Sequence, residues 1–352
     1  MSDLLYPLRR MHGNYVEKKF VWKYLNLPFG PKNFIIGTPE YSNLGDSAIA
    51  IAEKKFLIKC FGQEQKMKEL TFREYPRYHD LISKVLSPHS CFFGMGGGNM
   101  GDQWYREEDF RRKFITDQIK SHPVIFPQTI YYNPTEDGQQ KQEESVAIYN
   151  NPNLLLVARE KKSFEIMQNL YPQAEILLTP DIVLSTTISD YGVVKQERKG
   201  VLLCIRSDAE KAVSDAVWIE LEAELDKSKM IHNRTDMHSD CHVTKENRLE
   251  CVRKKMQEFC GAELVITDRL HGMIFAAITG TPCIVFSNNN QKVKGTYDWI
   301  SYLPYIRYVE TAAQAKNVLP ELLEMKNCRF NNEPLKPFFE KLAEVVKEKC
   351  PR

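Results

Sequence analysis

The sequence predicts an α/β chain of two Rossmann-like domains with parallel sheets, and three observations carry that prediction. Short apolar runs alternate with helical stretches along most of the chain, several of the runs end in glycine turns, and a polar stretch at residues 186–200 separates two such series. Strands alternating with helices form a parallel sheet covered on both faces. The 352 residues also exceed what a single core usually holds, roughly 250–300.

Residues 1–30 are of mixed charge, with a helix expected near 14–25. Residues 33–39 (NFIIGTP) read as a first buried strand. In 42–62, Gly45 and Asp46 turn the chain into a helix with apolar Ala48, Ile49, Ile51, Ala52 and Phe56. Further strands are expected at 70–75, at 91–104 running into a glycine cluster, at 122–132, at 154–160 and at 176–185. Residues 133–145 read as a polar loop or an exposed helix start. After the 186–200 linker, strands are expected at 200–208, in the LVI of 262–280 and in 281–290, with a long polar connection over 233–248 that allows some order at its end. In the tail, Phe338, Leu342, Val345 and Val346 share one helical face. The domains are therefore drawn as 1–190, 200–310 and a helical tail, 311–352, packing back on the body.

Composition narrows the function. Apolar residues make up 43% and charged residues 27%, as in ordinary globular proteins, and the net charge of +2 gives no reason to expect nucleic acid. The opening residues lack a signal-peptide pattern, and no window approaches 18 apolar residues. The nine cysteines are scattered, most beside apolar residues. Together these features lead to the expectation of a cytoplasmic protein.

Ligands of open α/β sheets bind beyond the carboxyl ends of the strands, and the cleft between two such domains is the default site. Four loops fall there. In 37–49, Asp46 is a candidate catalytic acid, a contact to sugar hydroxyls or a helix cap. In 94–102 (GMGGGNMGD), three consecutive glycines suit a phosphate or a sugar held by backbone amides. The spacing is neither a dinucleotide fingerprint nor a P-loop. Arg206 follows the apolar strand of the second half. In 267–272 (TDRLHG), Arg269 offers a planar fork for phosphate or carboxylate, His271 holds phosphate or shuttles a proton, and Asp268 caps the helix or orients His271. His232, His238, Cys241 and His242 lie close in sequence but match no common zinc spacing, so no metal is expected.

These segments, with VIFPQTIYY, ARE followed by Ser163, TPDIV and KGTYDW, together resemble the polysaccharide pyruvyl transferase family, and most closely its bacterial exopolysaccharide-biosynthesis members, over roughly residues 33–299. The resemblance implies a GT-B-like arrangement with the active site between the domains. It implies phosphoenolpyruvate held on the C-terminal side by Arg206, Arg269, Leu270 and His271. Acceptor-side elements would be Gly45, Asp46, Gly96, Gly97, Gly98 and Asn99, with Gln128 lining the same cleft. Leu44 stands where family members often carry asparagine, tyrosine or phenylalanine, and the polar insertion at 135–145 is a second departure.

The implied reaction moves pyruvate from phosphoenolpyruvate to two hydroxyls of a sugar in a surface polysaccharide precursor, forming a ketal and releasing phosphate. His271, Asp46 and Arg269 would be the catalytic set, with no further cofactor. A nucleotide-sugar glycosyltransferase on the same architecture, or a non-enzymatic binding protein of polysaccharide assembly, are the alternatives. Arg9, Arg10, Lys347 and Lys349 are candidate contacts to the inner face of a membrane bearing lipid-linked acceptors and assembly machinery. The acceptor sugar and the oligomeric state, including any homo-oligomer, are not legible in the sequence.

Overall fold

The computed structural model describes residues 32–62, 67–79, 90–208, 211–288 and 291–350, together with Tyr15 and Lys19. The helix expected near 14–25 lies outside the described residues apart from those two, as do Arg9 and Arg10.

The N-terminal half contains, in order, β1 (Lys32–Thr38), α1 (Leu44–Phe61), β2 (Met67–Thr71), β3 (Ser90–Gly94), β4 (Gly97–Gly101), α2 (Tyr105–Gln118), β5 (Val124–Tyr131), α3 (Glu136–Tyr149), β6 (Leu155–Ala158), α4 (Lys161–Leu170) and β7 (Glu175–Leu178). These strands form one parallel sheet in the order β2-β1-β3-β5-β6-β7, with β4 also pairing β5. Its central strands are apolar along their length because helices cover both faces.

The C-terminal half contains β8 (Val201–Cys204), α5 (Asp215–Lys227), β9 (His232–Thr235), α6 (Arg248–Cys260), β10 (Leu264–Thr267), α7 (Leu270–Thr279), β11 (Cys283–Phe286), α8 (Lys292–Ile300), β12 (Ile306–Val309), α9 (Ala312–Glu324) and α10 (Lys336–Lys349). Its parallel sheet runs β12-β11-β10-β8-β9. The chain reverses direction across each sheet between β1 and β3 and between β8 and β10. Crevices open at such switch points, and here they face each other in a GT-B-like arrangement.

The two halves share an apolar core. One cluster of buried residues runs from Ile35, Ile49 and Phe126 of the first half to Val252, Met273 and Val285 of the second. A polar strap joins them as well. Leu44 N–H donates to the Met237 carbonyl at 2.8 Å, Ser239 N–H donates to the Ser42 carbonyl at 2.8 Å, and the buried Arg248 reaches Glu69 and the Pro39 carbonyl at 2.7 Å each. The last helix then returns to the first sheet. Lys349 pairs with Glu175 at 2.8 Å, and the buried Cys350 thiol is held well above its ordinary range by its hydrogen bond with Cys91 and by burial.

Several elements differ from the sequence reading. The glycine cluster is itself a strand, β4, since its glycines permit close backbone approach: a Cβ on Gly101 (φ +116°) would stand 1.9 Å from the Tyr131 carbonyl oxygen. Of the two readings for 133–145, the helix start holds: α3 begins at Glu136, capped by Thr135, whose hydroxyl accepts from Gly138 N–H. The 182–185 end of the expected sixth strand is a short 3₁₀ turn capped by Asp181. The 233–248 connection begins as β9, a polar edge strand with one neighbour. On α10 the buried face is Phe339, Leu342, Val345 and Val346. Phe338 is displaced from it and packs edge-to-face on Trp299 at 4.7 Å.

Candidate active site

A cavity of about 260 Å³ lies between the two switch points. The first half contributes Tyr41, Asn43, Asp46, Gly98, Asn99 and Arg159 to its wall. The second contributes Arg206, Asp208, Arg269, Leu270, His271 and Lys292.

Asp46 sits in the first turn of α1, where its backbone N–H is close to a cap already supplied by Asn43. The Asn43 side chain accepts from Gly45 N–H at 2.9 Å and from Asp46 N–H at 3.4 Å. The Asp46 carboxylate is therefore not the cap, and it accepts from the Tyr41 hydroxyl at 3.1 Å. Burial pushes its pKa up, against the opposing pull of His271, Tyr41, Arg159 and Lys292. Gly45 is required for a packing reason: a Cβ there would stand 2.5 Å from His271 Nδ1 and 2.7 Å from Cγ.

His271 lies one residue into α7. Its Nε2 faces the Oδ2 of Asp181 at 3.6 Å, just beyond hydrogen-bond reach. Asp181 is 1% exposed, accepting from Arg159 Nη1 at 3.0 Å and from Val183 N–H at 3.0 Å. Burial alone would raise this carboxyl, but His271 and Arg159 outweigh it and bring the pKa down to about 2. Arg159 is fixed in turn by Nε donation to Thr129 at 2.8 Å, and its Nη2 lies over Gly98, where a Cβ would come within 2.5 Å. The glycine thus leaves room for the guanidinium at the cavity wall.

Arg269 is not an open fork. Its Nε and Nη2 donate to Asp236 at 2.7 and 2.8 Å, and its Nη1 donates to Asp208 at 2.5 Å. Burial works against its charge, yet these two carboxylates raise its pKa further. Asp208 also lies 3.5 Å from Arg206 Nε, so one carboxylate sits between two guanidinium groups of the cavity wall. Asp268 neither caps α7 nor touches His271. It is buried, and its Oδ1 accepts Arg206 N–H at 2.8 Å, tying the loop after β8 to the loop after β10.

Of the acceptor-side residues, Gly98 and Asn99 line the cavity. Gly96 lies beneath it, its N–H donating at 2.7 Å to the buried Glu53. Gly97 (φ +144°) makes the turn into β4. Gln128 does not reach the cleft wall: it is fully buried in β5, and its amide supports the Met95 carbonyl at 2.9 Å beneath the glycine segment. His238, read as incidental, lines the cavity and bonds Ser42 at 3.0 Å. Among the described residues no group of three His, Cys, Asp or Glu is arranged to hold a metal, and no helix is long and apolar enough to cross a membrane.

Sequence reasoning assigned no roles to Arg159, Asp181, Tyr41 and Lys292. A signal existed for the first, since Arg159 follows an apolar strand just as Arg206 does.

Comparison with known proteins places this geometry. The chain is 33% identical over 307 residues to General stress protein 30 of Bacillus subtilis, covering 86% of each. It is 27% identical over 267 residues to Pyruvyl transferase 1 of Schizosaccharomyces pombe, covering 72% of this chain and 66% of that one. In fold it resembles a crystal structure of an uncharacterized Klebsiella pneumoniae protein, with a TM-score of 0.55 at 19% identity, covering 84% of this chain and 98% of that one. The sequence model of the polysaccharide pyruvyl transferase family matches residues 43–290. With that match spanning both crevices and the cavity between them, the chain belongs to the polysaccharide pyruvyl transferase family.

Proposed function

We propose that the protein transfers pyruvate from phosphoenolpyruvate to two hydroxyls of one sugar in a surface or exopolysaccharide precursor, releasing inorganic phosphate. The observation that carries this reading is the apposition, across one cavity of a family member, of a guanidinium pair (Arg206 and Arg269) with an imidazole and a carboxyl (His271 and Asp46).

The donor carries a phosphate and a carboxylate, and the Arg206–Asp208–Arg269 cluster is the place for its anionic part. Asp208 occupies the position between the two guanidinium groups that a substrate oxyanion would take, while Asp236 keeps Arg269 oriented from behind. Donor binding exchanges the Asp208 carboxylate for the ligand's. The N–H groups at the start of α7 favour negative charge at the same place.

Protonation of the donor's methylene carbon makes C2 an oxocarbenium-like centre. One sugar hydroxyl forms a bond to C2 and gives its proton to a base. The C2–O bond to phosphorus then breaks, phosphate leaving with the electron pair. The second hydroxyl closes the ring and gives up its proton. His271 is the acid nearest the donor side, and Asp46 is the group nearest the acceptor side. Guanidinium charge and oriented amides stabilise the departing phosphate. No cofactor beyond the donor is proposed. The acceptor, a sugar or a lipid-linked oligosaccharide, enters from the glycine-segment side.

The test is calorimetric titration with phosphoenolpyruvate, with phosphate release followed by ³¹P NMR once an acceptor is supplied. Saturable binding that Arg269→Ala abolishes supports the donor assignment. Binding of a nucleotide sugar in its place would move the reading to glycosyl transfer.

A further inference from the structure

Asp181 lies outside the cavity wall, and nothing in the reaction outlined above uses it. Yet its Oδ2 lies 3.6 Å from the buried Nε2 of His271. We propose that Asp181 is a positioning residue for His271. In this role its carboxylate accepts a hydrogen bond from Nε2–H and fixes the tautomer of the neutral ring. Nδ1, on the edge beside Gly45, is then the nitrogen left to exchange a proton with substrate. What that substrate is rests on the transferase reading; the placement of the proton does not.

The geometry is specific on both edges of the ring. Nε2 is buried and has no hydrogen-bond partner. A buried ring N–H left unpaired is costly, so the 3.6 Å approach of Asp181 Oδ2 is where that proton goes, a few tenths of an ångström of ring movement completing the bond. On the other edge Nδ1 lies beside Gly45, where an added Cβ would stand 2.5 Å from it.

Asp181 itself is held rigidly. Val183 N–H donates to Oδ1, Arg159 Nη1 donates to Oδ2, and Thr129 holds Arg159 through Nε. A carboxylate so fixed orients what it touches.

The surroundings separate the two carboxyls near His271. Asp181 is driven down by its His271 and Arg159 neighbours against the opposing effect of burial, and Asp46 is driven up by burial. An imidazole between a permanently ionised and a protonatable carboxyl has one side for orientation and one for proton exchange. The other charged or titratable groups of the surrounding wall are Tyr41 before α1, Glu107 in the first turn of α2, Arg159 after β6, Arg206 and Asp208 after β8, His238 after β9, Arg269 before α7 and Lys292 at the start of α8. A purely structural Asp181 would cap the 3₁₀ turn and pair Arg159 without affecting the imidazole.

The experiment is ¹⁵N-edited NMR of the imidazole groups in the unliganded full chain, with His271 assigned by comparison with His271→Gln. The wild type is expected to show the Nε2–H tautomer. In Asp181→Asn, which retains an oxygen for Val183 N–H, a tautomer mixture is expected. An Nδ1–H tautomer in the wild type overturns the proposal without recourse to any variant. So does an unchanged tautomer in a folded Asp181→Asn.

With donor and acceptor in hand, the same variant should lower kcat by about tenfold or more while KM for phosphoenolpyruvate stays within about twofold. A variant that raises KM alone indicates loss of Arg159 placement and counts against the proposal. Failure of phosphoenolpyruvate to bind the wild type, with the expected tautomer present, overturns the donor reading and leaves the positioning role standing.

Discussion

Asp208 is the side chain whose removal should improve binding. It supplies negative charge where an anionic donor has to sit, so Asp208→Asn should lower the Kd for phosphoenolpyruvate by about threefold to tenfold in calorimetry, an ion-pair competition worth on the order of 1 kcal/mol. A weaker Kd would show that Asp208 instead keeps the guanidinium groups in place. Arg269→Ala should raise KM for the donor and lower turnover together. It leaves the half-buried Asp236 without the guanidinium that lowers its pKa against the opposing effect of burial. Thiol chemistry offers a check that does not involve the cleft. The exposed Cys241 lies 3.1 Å from Ser239 Oγ and 3.6 Å from Cys251 Sγ, and those hydrogen bonds lower its pKa. Ellman's reagent should therefore reach Cys241 first, while buried Cys204 and Cys283 react only after unfolding. Such pairings across the fold are why residue roles were only partly readable. The sequence shows an arginine and a histidine in TDRLHG, but not that Asp236, 33 positions away, holds that arginine.

At the level of elements, the helix starts decide the site. α1 and α7 converge so closely that Gly45 touches the His271 ring. Gly45→Ala should accordingly cost turnover by at least about tenfold, with a smaller effect on stability, because the imidazole must move to admit the methyl group. Kinetics beside a urea-unfolding curve would separate the two effects. Strand and helix positions of the apolar segments were legible because burial on both faces leaves continuous hydrophobic runs, as in β3 and β6. Three elements were not. β4 is made of glycines whose role is backbone approach, β9 is a polar edge strand, and α3 shows few apolar residues because only Gly138, Ser145 and Tyr149 are buried. Each lacks the periodicity on which a sequence reading depends. Gln128 misled for a related reason: a polar residue in an apolar strand suggests a ligand contact, yet here it satisfies a backbone carbonyl.

For the whole molecule, two buried carboxyls pull the pH dependence of stability in opposite directions. Asp181, held at about 2, contributes stability that is present above its ordinary pKa and lost as pH falls through about 2, an amount on the order of 2 kcal/mol. Glu53 is raised well above its usual range, chiefly by burial. The stability linked to it is full below the ordinary glutamate pKa and declines as pH rises through the raised value. Urea unfolding at pH 5 and pH 8 should show Glu53→Gln losing less stability between those pH values than the wild type. The returning α10 has a consequence of a different kind. Because the final helix is seated on the half of the molecule that the chain leaves first, covalent continuity through the exposed residues near Val194 is not what holds the halves together. A protease cut there should give two fragments that co-elute on size exclusion under native conditions and separate only in denaturant, and the same two pieces, produced apart, should reassemble on mixing.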